Sequence, residues 1–189
     1  MSARGLRITG GTLCGLRITV PDGVIRPAMD QMRESVFACL GDLGGASFLD
    51  IFSGSGIIAL EAASRGAVSI EAVENDPLKR KTLLQNVSIA PVRINCRFIS
   101  AELYIKRSKK EFDYIFLDPP FPYRYKWELL SKLSTSLSVS SESIIMLHRP
   151  KQDKQSDDIG TILKKIDSRE YGRSIVDFYK LIGTESLPG

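Results

Sequence analysis

The stretch that decides the fold is Phe48-Leu49-Asp50-Ile51-Phe52-Ser53-Gly54-Ser55-Gly56. Its apolar beginning is typical of a buried strand, and a glycine-rich turn follows at once. Residues 57–65 then carry a helical pattern, which Gly66 ends. A strand, a glycine turn and a helix in this order begin a nucleotide-type βαβ unit, because glycine lets the backbone approach a ligand and the helix N-terminus presents free N–H groups.

Strands and helices continue to alternate after this unit. The next strand, 69–73, ends at Glu74, where an acid is placed to accept hydrogen bonds from ribose hydroxyls. Further strands are predicted at 92–99, 114–117 and 143–148, and further helices at 77–88 and 126–137. Residues 161–170 and 174–181 alternate apolar and polar side chains around a Tyr-Gly-Arg turn. The sequence therefore predicts an α/β domain with a mostly parallel sheet that ends in an antiparallel hairpin.

The strand at 114–117 ends in Asp118-Pro119-Pro120-Phe121. Two prolines fix two φ angles and remove two N–H donors, so this backbone offers mainly carbonyl acceptors. Asp118 adds carboxylate acceptors, and Phe121 adds a flat apolar face. Such a site suits a planar group with N–H bonds to donate, such as the exocyclic amine of a base. A strand that runs into a tight Pro-Pro turn, with Asp118 as the turn cap, is the competing interpretation of these four residues.

Length, amino-acid composition, net charge and cysteine count limit the classes of protein to which the chain can belong. With 189 residues, of which 43% are hydrophobic and 25% charged, the chain suits one compact catalytic domain with a small appendage. Its net charge of +4 is a mild attraction toward polyanions. Three cysteines, odd in number and far apart, argue against a disulfide framework or a zinc cluster and for a reducing, cytoplasmic location. We expect no membrane span and no metal; His148, the single histidine, is expected to be a structural or rim residue.

The N-terminal residues form a separate pattern. Residues 7–21 predict two short strands with glycines between them, so we expect a basic β-hairpin arm over 1–25 and the catalytic domain over 26–189. Asp30 is the predicted N-cap of a helix over 31–40. Arginines recur through this region and are predicted to contact the phosphates of a nucleic acid, namely Arg4, Arg7, Arg17, Arg26 and Arg33. A solvated, charged hairpin is the alternative.

Two kinds of cofactor are compatible with the glycine turn. The run Gly54-Ser-Gly-Ile-Ile-Ala59 fits the dinucleotide fingerprint. However, the Asp50 carboxylate would repel a pyrophosphate, the chain is too short for a separate substrate domain, and Asp-Pro-Pro-Phe has no role in hydride transfer. An acid beside the turn favours a cofactor with a cationic amino-acid end, namely S-adenosylmethionine.

These residues carry a family resemblance. The motif Asp50-x-Phe52-x-Gly54-x-Gly56, followed by Glu74 and then by Asp118-Pro-Pro-Phe121, resembles the amino-methyltransferases of the class I fold. Arg7-Ile-Thr-Gly-Gly, ahead of Arg26-Pro27-x-x-Asp30-x-x-Arg33-Glu34-Ser35-x-Phe37, resembles the bacterial RsmD family. Members of that family methylate the exocyclic amine of a guanine in small-subunit ribosomal RNA. The resemblance covers nearly the whole chain and is thin after Ser140.

The resemblance implies a Rossmann-like, seven-stranded methyltransferase that acts as a monomer. It implies that S-adenosylmethionine is held by Asp50, Phe52, Gly54, Ser55, Gly56, Glu74, Asn75 and Ala101. It implies a reacting centre made of Asp118, Pro119, Pro120 and Phe121, and ribosomal RNA, free or in the assembled small subunit, as the partner. Two alternatives stay open, an adenine amino-methyltransferase of DNA or RNA and a nucleic-acid-binding module without catalysis.

Overall fold

The computed structural model describes residues 5–20, 28–154, 159 and 162–182. In these residues the strands are β1 Leu6–Arg7, β2 Arg17–Ile18, β3 Ser47–Ile51, β4 Ser69–Val73, β5 Ile94–Arg97, β6 Tyr114–Leu117, β7 Ile144–Pro150, β8 Leu163–Tyr171 and β9 Ser174–Leu181. The α-helices are α1 Ala28–Leu40, α2 Ile57–Ser64, α3 Arg80–Val87, α4 Ala101–Arg107 and α5 Lys126–Ser134. A 3-10 turn, Pro77–Lys79, precedes α3.

Seven of these strands form one sheet in the order β5-β4-β3-β6-β7-β9-β8. Strands β3 to β7 are parallel, whereas β9 runs antiparallel to both β7 and β8. In register, Ile51 lies beside Val73 on one side and beside Leu117 on the other. The chain therefore leaves β3, β4 and β6 at the same edge of the sheet. The predicted fold class is confirmed.

The sheet is buried on both faces. Neighbouring residues of β3 point to opposite sides, so that Phe48 packs in one apolar cluster and Leu49 in the other. All eight residues of α2 are buried, because this helix is enclosed between the sheet and the N-terminal hairpin. Gly56 begins α2 with φ 83°, and a Cβ at this position would lie 2.7 Å from a methyl carbon of Leu83. The turn before α2 therefore requires glycine at this position.

The hairpin of β1 and β2 is docked on α2. Leu6, Ile8 and Ile18 are buried in the cluster that contains Phe48. Ser64 of α2 receives two backbone N–H groups of the hairpin, with Thr12 N 2.7 Å from the Ser64 carbonyl and Leu13 N 2.8 Å from its hydroxyl. The predicted hairpin is thus present and packs on the catalytic domain through its backbone as well as its side chains.

Several element boundaries differ from those predicted, and three show the size of the differences. Helix α1 begins before Asp30, so Asp30 lies in the first turn and the prediction that it caps the helix is wrong. Helix α5 ends at Ser134, short of residue 137, and β5 is confined to Ile94–Arg97. Element ends are set by tertiary packing, which the local pattern does not contain.

Strand β8 forms the outer edge of the sheet beside β9. Seven of its nine residues are exposed, and only the terminal Leu163 and Tyr171 are buried. Its register against β9 shifts between Lys165 and Asp167. No helix in the parts of the chain that the structure describes is long and apolar enough to cross a membrane.

Candidate active site

A cavity of about 840 Å³ opens at the edge of the sheet where β3, β4 and β6 end. Each of these strands is followed by a residue that lines it: Phe52 after β3, Glu74 after β4 and Asp118 after β6. The predicted Pro119, Pro120 and Phe121 line the same cavity. The fold therefore brings residues from three distant motifs to one site.

The Asp50 side chain hydrogen-bonds to residues on both sides of the glycine turn and holds the turn in place. This carboxylate is fully buried, and its Oδ2 accepts hydrogen bonds from the Ser53 hydroxyl at 2.6 Å and from the Ala59 N–H at 3.2 Å. Phe52, which lies between Asp50 and Ser53 in the sequence, has φ 66°, a left-handed conformation that is uncommon for a residue with a side chain. Such strain persists only where its surroundings enforce it, and it clusters at ligand sites.

Glu74 lies at the far side of the turn. Its Oε2 accepts the Gly54 N–H at 2.8 Å and its Oε1 accepts the Asp76 N–H at 2.8 Å. The Lys79 ammonium is 3.6 Å from Oε2. A carboxylate has about four acceptor positions, so Glu74 can hold the turn in place and still accept hydrogen bonds from ligand hydroxyls.

Burial is the main cause that raises the pKa of Asp50 to about 7; the nearby carboxylates of Asp118 and Glu74 contribute to this rise, and the hydrogen bonds from Ser53 and Ala59 oppose it. Its Oδ1 is buried and has no hydrogen-bond partner in the described part of the chain. Three carboxylates thus face one small region, where a cation is favoured. These residues fit a cofactor that carries positive charge, whereas a pyrophosphate would be repelled.

The raised pKa of Asp50 predicts how stability changes with pH. Because the folded protein keeps this carboxyl protonated up to about pH 7 and the unfolded chain releases the proton near the ordinary pKa of 3.8, the free energy of unfolding should fall as pH rises through that window. Asp50→Asn should lack this contribution. Urea denaturation of both proteins at pH 5 and pH 8 measures the difference, and equal pH dependence in the two would contradict it.

The remaining predicted cofactor residues are not among those that line this cavity. Gly54 and Gly56 have positive φ, and the carbonyl of the buried Ser55 accepts a hydrogen bond from Asn86 Nδ2 at 2.8 Å. Ala101 is buried as the first residue of α4, and Asn75 is exposed. Their contacts with a cofactor stay predictions.

The predicted reacting centre contains Asp118. Its backbone N–H donates to the Ile51 carbonyl at 3.1 Å, which fixes the first residue after β6 against β3. Its Oδ1 lies 2.7 Å from Nδ1 of His148. The Phe121 ring meets the His148 ring edge-on, with centroids 5.6 Å apart and planes at 66°. Asp118, the two prolines and the Phe121 ring therefore line one cavity, and the binding of an amine by these residues stays a prediction.

The predicted phosphate contacts divide into three groups. Arg7 and Arg17 are exposed on the paired strands, and Arg17 Nη1 donates to the Gly5 carbonyl at 2.9 Å. Arg4 and Arg26 lie outside the described residues. Arg33 is fully buried, with Nη2 2.5 Å from Asp30 and Nε 3.3 Å from Glu61, so its assignment as a phosphate ligand is wrong.

Several residues of the cavity were not predicted to belong to it. His148 lines the cavity because β7 pairs with β6. Tyr171 at the end of β8, and Gly172 and Arg173 in the turn to β9, line it as well. Lys79 also lines the cavity. The sequence feature that could have placed His148 in the cavity is its position at the end of a predicted strand. No cluster of metal-ligating side chains occurs in the described ranges.

Comparison with known proteins places the chain among methyltransferases. Residues 6–180 match the family model described as Conserved hypothetical protein 95. Ribosomal RNA small subunit methyltransferase D of Escherichia coli (strain K12) is 30% identical over 144 residues, 74% of this chain and 72% of its own length. YlbH of Bacillus subtilis (strain 168), described as a candidate rRNA methyltransferase, is 25% identical over 185 residues, 94% of this chain and all of its own length.

A solved structure shows the same fold. The protein yhhF from Escherichia coli, described as a candidate methyltransferase, superposes with a TM-score of 0.81 at 24% identity, covering 94% of this chain and 98% of its own. The sheet with its antiparallel end strands agrees with the Rossmann-like fold of class I methyltransferases. The resemblance based on the N-terminal and Asp118 motifs is confirmed, and the chain belongs to the RsmD family.

Proposed function

We propose that this protein methylates the exocyclic N2 amine of a guanine in small-subunit ribosomal RNA, with S-adenosylmethionine as the methyl donor. The observation that carries the proposal is one cavity shared by Asp118-Pro-Pro-Phe121, the strained turn at Phe52 and the carboxylate of Glu74. The coarser activity, S-adenosylmethionine-dependent methylation of ribosomal RNA, is the one that membership of the family supports. The protein acts in the cytoplasm as a monomer.

The residues around the glycine turn hold the cofactor. S-adenosylmethionine, when bound, supplies an electrophilic methyl group on a positively charged sulfur. Glu74 accepts hydrogen bonds from ribose hydroxyls, and the backbone around Gly54 and Gly56 lies close to the amino-acid end. Asp50 keeps the turn in shape from beneath through Ser53 and Ala59, and it adds negative potential.

Asp118 prepares the attacking amine. The lone pair of the guanine N2 amine is shared with the ring, so the amine is a poor nucleophile. Hydrogen bonds from its N–H groups to the Asp118 carboxylate and the Pro119 carbonyl favour a pyramidal nitrogen and stabilise the positive charge that develops. Phe121 stacks on the base, which is worth about 1–3 kcal/mol in comparable contacts. The new N–C bond would replace the S–CH3 bond of the donor, which leaves a neutral thioether, and the amine proton would then pass to water, so no separate general base is required.

The arm holds the RNA. A guanine within a helix cannot reach a cavity at the sheet edge, so a looped or flipped base is the substrate. Arg7 and Arg17 are exposed and contact phosphates, which sets position and affinity and carries little base information. Free ribosomal RNA and the assembled small subunit both offer such phosphates.

Methyl transfer to ribosomal RNA tests the proposal. Small-subunit RNA and particles from a strain that lacks the enzyme are incubated with labelled S-adenosylmethionine, and the RNA is digested to nucleosides. N2-methylguanosine is the expected product. Labelled N6-methyladenosine would identify the adenine enzyme instead. Absence of S-adenosylmethionine binding by calorimetry would leave only a nucleic-acid-binding module.

Glu74→Ala is expected to weaken S-adenosylmethionine binding by about 1–3 kcal/mol, because hydrogen bonds from hydroxyls to a charged acceptor are lost together with the anchor of Gly54. Isothermal titration gives the affinity, and circular dichroism shows whether the variant is folded. Glu102→Ala is the matched control, since this carboxylate is exposed on α4 and does not line the cavity. A folded Glu74→Ala variant with unchanged affinity would remove Glu74 from the cofactor site.

Arg7→Ala and Arg17→Ala should weaken RNA binding and flatten its dependence on salt. Each phosphate contact that is lost lowers the slope of log K against log salt by about 0.7–0.9. Methyl transfer is measured against salt for both variants and for Arg107→Ala, an exposed arginine at the end of α4, away from the hairpin. Point variants are preferred to a deletion because the hairpin buries Leu6 and Ile8 in the core. Unaltered slopes for both would reduce the hairpin to a structural role.

A further inference from the structure

Arg173 brings an unpaired positive charge to the cavity. Two lysine or arginine side chains of the described residues line the cavity, Lys79 and Arg173. The Lys79 ammonium lies 3.6 Å from a Glu74 oxygen and 3.8 Å from an Asp76 oxygen. Arg173 is exposed, and within the residues that the structure describes its guanidinium makes no hydrogen bond or ion pair. Its five N–H donors are therefore available to a ligand of the cavity.

The turn that carries Arg173 is held in place by contacts with the sheet and with α1. Gly172 has φ 60°, which lets the chain reverse over the two residues that join β8 to β9. The Arg173 carbonyl accepts the Lys151 N–H at 2.9 Å. The Tyr171 hydroxyl lies 2.7 Å from the Ser35 hydroxyl of α1. The backbone of the turn is thus fixed, and the long Arg173 side chain begins at a defined position beside the cavity.

The strand order places Arg173 away from the predicted cofactor residues. Along the edge of the sheet, Glu74 follows β4, Phe52 follows β3 and Asp118 follows β6, in the spatial order β4-β3-β6-β7-β9. Arg173 directly precedes β9, two strands beyond β6. Neighbouring strands are about 4.8 Å apart, so Arg173 and Asp118 are separated by about 10 Å across the sheet. Arg173 therefore lies on the side of Asp118 that faces away from β3 and β4.

The turn also lies farther out along the strands than Asp118 does. Strand β6 ends at Leu117, whereas β7 and β9 continue together to the pair Pro150–Ser174. A base that enters the cavity toward Asp118 keeps its ribose and phosphates farther out, at the level of Arg173. The cavity thus has an acceptor where the base would lie and a cation where a phosphate would lie.

We propose that Arg173 binds a phosphate that flanks the target guanosine and so positions the base against Asp118. A flipped base stays joined to its flanking phosphates through one ribose, so a held phosphate restricts where the base can lie. A guanidinium matches the oxygens of phosphate with paired hydrogen bonds. The cavity of about 840 Å³ lies in the upper part of the range for ligand pockets, about 300–1,000 Å³, as a site for a cofactor and a nucleotide requires. The inference rests on the proposed function, since it assigns a further contact of the same substrate.

A comparison of two small inhibitors tests the contact without the rest of the RNA. Guanosine 3′,5′-bisphosphate carries both phosphates that flank a nucleotide, and guanosine carries neither. Both are added to methyl transfer on ribosomal RNA at saturating S-adenosylmethionine. With the wild type, the bisphosphate should inhibit at a concentration about tenfold lower or more. With Arg173→Ala, this difference should disappear. A wild type that is inhibited equally by both compounds, or by neither, overturns the proposal, and so does a variant that keeps the difference.

Steady-state kinetics with RNA tests the same contact in the full substrate. Arg173→Ala should lower kcat/KM by about tenfold or more, and Arg173→Lys should recover part of the loss because lysine keeps the charge without the paired donors. Arg169→Ala is the matched control: Arg169 lies on the same hairpin but pairs with Asp167 and does not line the cavity. An equal loss in Arg169→Ala would show a general effect of charge and would overturn the proposal.

Isothermal titration with S-adenosylmethionine completes the test. Arg173→Ala should bind the cofactor as the wild type does, which also shows that the variant is folded. Weaker binding would assign Arg173 to the carboxylate of the cofactor and would overturn the proposal. Nucleoside analysis separates the two levels of inference. If the wild type produces labelled methyladenosine, the proposed function fails; if it produces methylguanosine while Arg173→Ala keeps the wild-type kcat/KM, only the role of Arg173 fails.

Discussion

Asp118→Ala is expected to lower kcat for RNA methylation by roughly 10²–10³-fold, the scale seen when one preorganised electrostatic contact to a transition state is removed. The carboxylate accepts a hydrogen bond from the amine when positive charge develops on it, so the contact strengthens in the transition state. Affinity for S-adenosylmethionine should change little, because the turn is held by Asp50 and Glu74. Single-turnover methyl transfer and isothermal titration measure the two quantities separately.

Asp118→Asn is the matched variant for this experiment. It preserves the size of the side chain and one acceptor oxygen but removes the charge, so its activity should lie between those of the wild type and Asp118→Ala. His148 loses its charged partner in both variants, since its Nδ1 contacts Oδ1 of Asp118. Near-normal turnover of folded Asp118→Ala would show that the mechanism derived from the Asp-Pro-Pro-Phe site is wrong.

Glu61→Ala is expected to lower the free energy of unfolding by about 3–5 kcal/mol, the usual effect of removing one member of a buried ion pair. Glu61 is fully buried in α2 and pairs with Arg33 and Arg65. It also accepts the Thr9 N–H of the hairpin at 2.8 Å. Its removal would leave the buried Arg33 with Asp30 as its remaining carboxylate partner. Urea denaturation gives the change.

Glu128→Ala provides the control for that experiment. Glu128 forms an ion pair with Lys132 at 2.6 Å on the surface of α5, and both side chains are more than half exposed. Exposed pairs of this kind contribute about 0–1 kcal/mol. A similar, small effect for both glutamates would mean that the contacts of Glu61 with Arg33, Arg65 and the Thr9 N–H contribute little to stability.

Most of the fold could be predicted from the sequence because its signals are local. The apolar runs of β3 and β6, the glycine turn after β3 and the Pro-Pro pair are each contained within about ten residues. The sequence also predicts that Glu74 and Asp118 lie at the same edge of the sheet, because each follows a parallel strand and such strands end at one edge. Element boundaries were less accurate, and Asp30 shows why: the start of α1 depends on more than its best capping residue.

The errors at the site come from contacts between residues far apart in sequence. An arginine in a basic segment predicts a phosphate ligand, yet Arg33 is paired with Glu61, a residue of the following helix that no local pattern links to it. His148 was predicted to be a structural or rim residue, and its contact with Asp118, which follows the neighbouring strand, could not be predicted from a local pattern. The turn that carries Arg173 reaches the cavity only because β9 inserts between β7 and β8.

Strand β8 affects how the molecule behaves in a crowded cell. A bare sheet edge presents unpaired N–H and C=O groups and is a template for aggregation. Here the edge is exposed and charged, with Lys164, Lys165 and Arg169, and its pairing is interrupted between Lys165 and Asp167. Charges and a register break of this kind resist the addition of a further strand. The edge therefore protects the sheet from self-association.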